Sequence, residues 1–149
     1  MALLIPHSQL DAVLRHGEQT YPNECCGLLL GSVDASGRRC ITGIQHMRNA
    51  NTASPRNRFD FDPHEHLEAQ RAARERGVEI VGFYHSHPDH PARPSQFDLD
   101  HAAWPGYSYL IVAIHQGKRI AEDGANSFEL AEDRSQFLQE IIQSTQEVL

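Results

Sequence analysis

The chain has 149 residues, of which 40% are hydrophobic and 22% charged, ordinary for a globular protein and enough for one domain with its own core. A formal net charge of -7 excludes the basic stripe that a nucleic-acid partner would need. No apolar run approaches the length of a membrane span, Met1–Pro6 is too short for a signal peptide, and three cysteines with Cys25 and Cys26 adjacent are no disulfide framework, so a cytoplasmic protein without a membrane partner is expected.

In chain order, Leu10, Val13 and Leu14 fall at helical spacing behind Ser8 and predict a first helix to about Gly17. Gly27-Leu28-Leu29-Leu30-Gly31 is a continuous apolar run and reads as a buried strand, with residues 39–46 as a second candidate. Asn49 to Asn57 reads as an exposed loop, and Phe59 and Phe61, alternating with Asp60 and Asp62, suggest a short strand. Pro63 opens a helix that Gly77 stops. A strand over Val78–Tyr84 follows, then a loop holding Pro88, Pro91 and Pro94, then a short helix over Gln96–Ala103. Tyr107–His115 is a strand that turns at Gln116-Gly117 into Lys118–Glu122, and Phe128–Leu130 adds another. From about 133 to 149, Phe137, Leu138, Ile141, Ile142 and Val148 predict a C-terminal amphipathic helix. The interleaved order indicates one α/β (α+β) domain over 1–149 around a mixed sheet flanked by helices.

The chemistry concentrates after the strand at 78–84. His85-Ser86-His87 is followed, across seven intervening residues, by Ser95, and across two more by Asp98. On extended backbone residues i and i+2 point the same way, so His85 and His87 can reach one point while Ser86 faces the other side. Asp98, on the first turn of the short helix, can return its carboxylate there. Two imidazoles and one carboxylate leave the fourth tetrahedral position of a zinc ion open, as a catalytic site requires. A general base must still take a proton from water. Glu24, just ahead of the strand at 27–31, ranks only modestly above Glu79 or Glu122 on these grounds.

Pro22-Asn23-Glu24-Cys25-Cys26-Gly27-Leu28-Leu29-Leu30-Gly31, Val81-Gly82-Phe83-Tyr84-His85-Ser86-His87-Pro88 and Pro94-Ser95-Gln96-Phe97-Asp98 together resemble the JAB/JAMM (MPN+) metalloprotease family, over about residues 5 to 130. The resemblance implies the JAMM/MPN fold, similar to the cytidine-deaminase-like architecture, and one zinc held by His85, His87 and Asp98. It implies Glu24 as general acid/base and Ser95 as the donor that stabilises the oxyanion. It further implies hydrolysis after the C-terminal di-glycine of a ubiquitin-like or sulfur-carrier protein, including release of cysteine from a carrier. Only nine residues separate Asp98 from Ser108, so the compact prokaryotic branch is expected.

Other readings compete. His64-Glu65-His66 repeats the H-x-H spelling, but on a helix i and i+2 diverge by about 200°, and a solvated helix start is expected. His90 and His101 are expected to be exposed, Cys26 a small packing residue, and Trp104 a packing anchor near the rim of the site. A nucleobase deaminase would need H-x-E with P-C-x-x-C, and neither occurs. A non-catalytic zinc-stabilised module binding ubiquitin-like proteins would keep the ligands without needing Glu24.

Overall fold

The structure, a computed structural model, describes residues 2–120 and 124–145. The elements run β1 (Ala2–Pro6), α1 (His7–Thr20), β2 (Cys26–Val33), β3 (Arg39–Met47), α2 (Pro63–Glu75), β4 (Glu79–Pro88), α3 (Gln96–His101), β5 (Ser108–His115), β6 (Lys118–Arg119), β7 (Ala125–Leu130) and β8 (Phe137–Thr145). The strands form one mixed sheet in the order β4-β2-β3-β1-β8-β7-β5-β6, and a further β4–β5 pairing closes the row on itself. The β1–β3, β1–β8 and β4–β5 pairs are parallel and the other pairs antiparallel.

Both faces of the central strands are covered. Leu29 points with Leu3, Ile5, Tyr84 and Leu110 into a core that includes Val13 of α1. Leu28 and Leu30 point the other way, with Phe83 and Tyr109, against Ala73 of α2. That two-sided burial is why the run is continuously apolar instead of alternating. Gly27 is required by the packing, since a Cβ there would lie 2.2 Å from the Tyr84 ring. α2 is capped as its sequence implies: the Asp62 carboxylate accepts from the backbone N–H groups of His64 and Glu65, with Pro63 in the first turn and Gly77 just beyond the last at φ 76°.

Two expectations are corrected. Phe59 and Phe61 form no strand; both rings turn into the core beside Phe83, and side chains serve the local backbone instead of a ladder. The Asn49 amide oxygen accepts from the N–H groups of Asn51 and Asp60, and its amide nitrogen donates to the carbonyls of Glu24 and Arg58. The C-terminal segment is not a helix over its described part: Phe137–Thr145 is β8, parallel to β1 and antiparallel to β7. Its inward position Glu140 is polar, which hid the strand alternation, whereas Ile141 is exposed. Val148 and the end of that expected helix lie outside the described residues, as do the last two positions of the segment Lys118–Glu122 that the Gln116-Gly117 turn leads into. β1, its parallel partner, was not anticipated.

Candidate metal centre and active site

The motif lies in a strand, not behind one. Parallel pairing with β5 runs from Gly82↔Ser108 to Pro88↔Ile114, so β4 stays extended through His85, Ser86 and His87. On its other side β4 pairs with β2 as far as Cys26↔His85. Continuing that antiparallel register sets Cys25 opposite Ser86 and Glu24 opposite His87. Two hydrogen bonds fix the arrangement: Ser86 N–H donates to the Cys25 carbonyl (3.1 Å), and Cys25 N–H donates to Ser86 Oγ (2.8 Å). Ser86 faces away from the two imidazoles, as the strand period requires, and there holds the segment that carries Glu24. A third contact, Glu24 N–H to the Pro55 carbonyl at 2.8 Å, ties that segment to the loop before α2.

His85 Nε2, His87 Nε2 and Asp98 Oδ2 form a triangle with sides of 3.1, 3.1 and 3.3 Å. Donors about 2.0–2.1 Å from a tetrahedral zinc are separated by roughly this distance, so the three groups fit such an ion. Glu24, His85 and His87 also each offer a ligand atom within 4.8 Å of the others, all three residues being buried. Oε1 of Glu24 has no hydrogen-bond partner among the described residues. A buried carboxylate oxygen left open beside three convergent donors marks where a further polar group belongs.

Neighbouring groups set the orientation of each donor. His87 Nδ1 lies 2.8 Å from the Pro91 carbonyl, which fixes its proton there and turns the Nε2 lone pair to the triangle. The His85 ring stacks on Phe59, with centroids 4.6 Å apart. Ser95 caps α3: its Oγ accepts from Asp98 N–H at 3.0 Å, and its own N–H donates to Asp98 Oδ2 at 2.9 Å. The atom that closes the triangle is thus held by a helix cap. The Ser95 hydroxyl proton remains available to an incoming oxygen.

Burial and then the charge of Asp98 push the Glu24 carboxyl up to about 9. Burial alone would also raise Asp98, but the charge of His85 and hydrogen bonds from His85, His87 and the Ser95 backbone override it, holding Asp98 below the usual carboxylate range. Burial lowers His85. The shift at His85 favours its neutral ring and the shift at Asp98 favours its carboxylate, the forms that bind a cation.

Two cavities flank the triangle. One, of about 140 Å³, is aromatic, with Phe59, Phe61, Phe83 and Trp104 around His85 and Asp98. The other, of about 300 Å³, brings Glu24, His87 and Ser95 together with Asn57, His90 and Arg93. All five residues singled out from sequence, Glu24, His85, His87, Ser95 and Asp98, therefore meet at one place. His90 and His101 are exposed, Trp104 stands at the aromatic rim, and Cys26 is buried, as expected. His66 departs from the solvated reading: half-buried, it packs edge-on against Phe83 and Trp104. The sequence reading missed the roles of Ser86, Phe59 and the Pro91 carbonyl. Only Ser86 carried a signal, its alternation with the two histidines.

The profile of a family described as prokaryotic homologs of the JAB domain matches residues 6–130. A desampylase of Haloferax volcanii is 39% identical over 105 residues, covering 68% of this chain and 73% of the relative. A probable TtuB-protein conjugate cleaving protease of Thermus thermophilus is 31% identical over 132 residues, covering 89% and 78%. The solution structure of protein DSY2949 from Desulfitobacterium hafniense superposes with a TM-score of 0.83 at 34% identity, covering 99% of this chain and 95% of that one.

Proposed function

The chain belongs to the prokaryotic JAB-domain family, and we propose that it hydrolyses the bond after the C-terminal di-glycine of a ubiquitin-like or sulfur-carrier protein, with one zinc held by His85, His87 and Asp98. The observation that carries this reading is the 3.1–3.3 Å triangle of those three residues with the unpartnered Glu24 carboxylate beside it. Zinc bound there supplies Lewis acidity toward the scissile carbonyl and lowers the pKa of water. Glu24 takes a proton from the attacking water and delivers it to the departing nitrogen. A carboxyl whose surroundings favour its protonated form suits that second step. Ser95 donates its hydroxyl hydrogen to the carbonyl oxygen as negative charge develops there, and its accepted bond from Asp98 N–H fixes the direction of that donation.

The Thermus thermophilus relative is named for cleaving TtuB–protein conjugates; action of this chain on the tail of a small carrier protein extends that reading. An extended tail can add to sheet backbone through main-chain hydrogen bonds while glycine side chains leave the approach to the triangle open. Three unbridged thiols, two of them buried, support a reducing cytoplasm as the site of action. The test is incubation of the zinc-loaded protein with a sulfur carrier extended past its terminal Gly-Gly, read by intact mass. Loss of mass at the di-glycine boundary, absent with Glu24→Gln, is expected. An intact substrate with zinc bound would refute the proposed substrate class.

A further inference from the structure

The cavity shared by Glu24, His87 and Ser95 also has a cationic side. Arg93 and His90 line it, and both are exposed to it. In a chain of net charge -7, the Arg93 guanidinium pairs with no carboxylate among the described residues. Arg15, Arg38, Arg39, Arg48 and Arg119 are each matched to an acidic side chain; of the arginines without such a match among the described residues, Arg93 is the one that lines this cavity. The backbone that presents Arg93 is firmly held. Its own N–H donates to the Pro91 carbonyl at 2.8 Å, the Asn126 amide donates to the Ala92 carbonyl at 3.0 Å, and Ala92 is buried between Pro91 and Pro94. Two prolines fix φ on either side. An unpaired guanidinium on a rigid loop, opening on the cavity of the general acid, is prepared for an anion.

The reaction indicates which anion. Hydrolysis breaks the C–N bond, the water oxygen joins the glycine carbonyl carbon, and a water proton passes through Glu24 to the leaving nitrogen. That nitrogen must therefore come to the Glu24 side of the triangle, with the leaving group in the cavity that Arg93 lines. The two glycines lie on the acyl side and bring no charge. When the leaving group is a single residue, its α-carboxylate sits two bonds from the leaving nitrogen. The side-chain nitrogen of a lysine, or the first nitrogen of a longer peptide, brings no such carboxylate. Resting on the reaction proposed above, we infer that Arg93 binds a carboxylate of the leaving group, so that the preferred substrate ends one residue beyond the di-glycine. Arg93 is then a specificity residue on the leaving side.

The experiment compares carrier tails ending in Gly-Gly-Ala with a free carboxylate, Gly-Gly-Ala amide, and Gly-Gly-Asp amide, whose only carboxylate is in the side chain. Cleavage by the zinc-loaded protein is followed by mass, and binding to Glu24→Gln is followed by calorimetry without turnover. The free acid is expected to exceed the Ala amide at least 10-fold in kcat/KM and in affinity. Arg93→Gln should bring the two within about 2-fold, and Arg93→Lys should retain part of the preference. A Gly-Gly-Asp amide as good as the free acid, in an Arg93-dependent way, keeps the carboxylate site and assigns it to acidic side chains. Equal affinities for acid and amide, a preference that survives Arg93→Gln, or no binding of any tail would overturn the inference. The binding difference without cleavage would count against the proposed reaction and leave the carboxylate site standing.

Discussion

Glu24 is 3% exposed and its carboxyl is pushed up to about 9 from 4.5. The unfolded chain ionises this group as pH passes 4.5, while the metal-free folded chain keeps its proton until about 9. Folded-state stability is therefore complete below 4.5 and is lost as pH rises toward 9. Glu24→Gln removes that loss. The metal-free variant should be more stable than the parent by about 1–3 kcal/mol at pH 8, allowing for partial solvation, and the gap should close below pH 4. Thermal unfolding at the two pH values measures it. Turnover should meanwhile fall by roughly 10²–10⁴, the usual contribution of a general acid/base. Stability traded against activity is expected where a carboxylate is buried for chemistry. Ser86 acts one step back: Ser86→Ala leaves the buried Cys25 N–H without its acceptor, at a cost of about 1–3 kcal/mol. It should also lower kcat by loosening the Glu24 segment while zinc stays at one per chain, which metal analysis beside denaturant unfolding would verify.

At the scale of elements, β8 is held in the sheet by a buried ionic group as well as by Phe137 and Ile142, which pack against the core. Glu140 accepts from Ser108 at 2.5 Å and Ser127 at 2.6 Å and pairs with Arg39 at 3.1 Å; Arg39 also reaches Glu129 and the Gly106 carbonyl. Strands β3, β5, β7 and β8 meet there. Removing one partner of a buried pair strands the other, so Glu140→Ala should cost about 3–5 kcal/mol by denaturant unfolding. Activity of the fraction that remains folded should hardly change, because the cluster contributes no atom to the zinc triangle. The same cluster explains what the sequence concealed. Phe137, Leu138, Ile141 and Ile142 fit a helical stripe as well as a strand, and the inward polar Glu140 removed the alternation that would have separated the two. β1 was concealed by its brevity, and the Phe59–Phe61 segment by side-chain hydrogen bonds that satisfy a backbone without a ladder. β2, β4, β5 and α2 were legible because their burial pattern or caps are local.

Over the whole molecule, the closed sheet brings together residues 24, 85, 87, 95 and 98, which are scattered over three parts of the sequence. The candidate site was legible because H-x-H on extended backbone has one geometric meaning and because Ser95 and Asp98 stand at the separation of a helix cap and its third residue. The division of roles between Asp98 and Glu24 was not legible from spacing, since either carboxylate can join two imidazoles, and it rested on the family resemblance. Arg93 was invisible for another reason: one arginine between prolines has no period or partner in sequence, and only the shared cavity gives it a meaning.

The measurement that bears most directly on this account is the zinc content of the purified protein by native mass spectrometry, for the parent, Asp98→Asn, His87→Ala and Glu24→Gln, with tail cleavage followed on the same samples. One zinc per chain in the parent and in Glu24→Gln, loss of zinc from the other two, and cleavage by the parent alone is the predicted result. Loss of zinc from Glu24→Gln with retention by Asp98→Asn would make Glu24 the third ligand, and cleavage by Glu24→Gln would remove it as the general acid/base; either result contradicts the assignment.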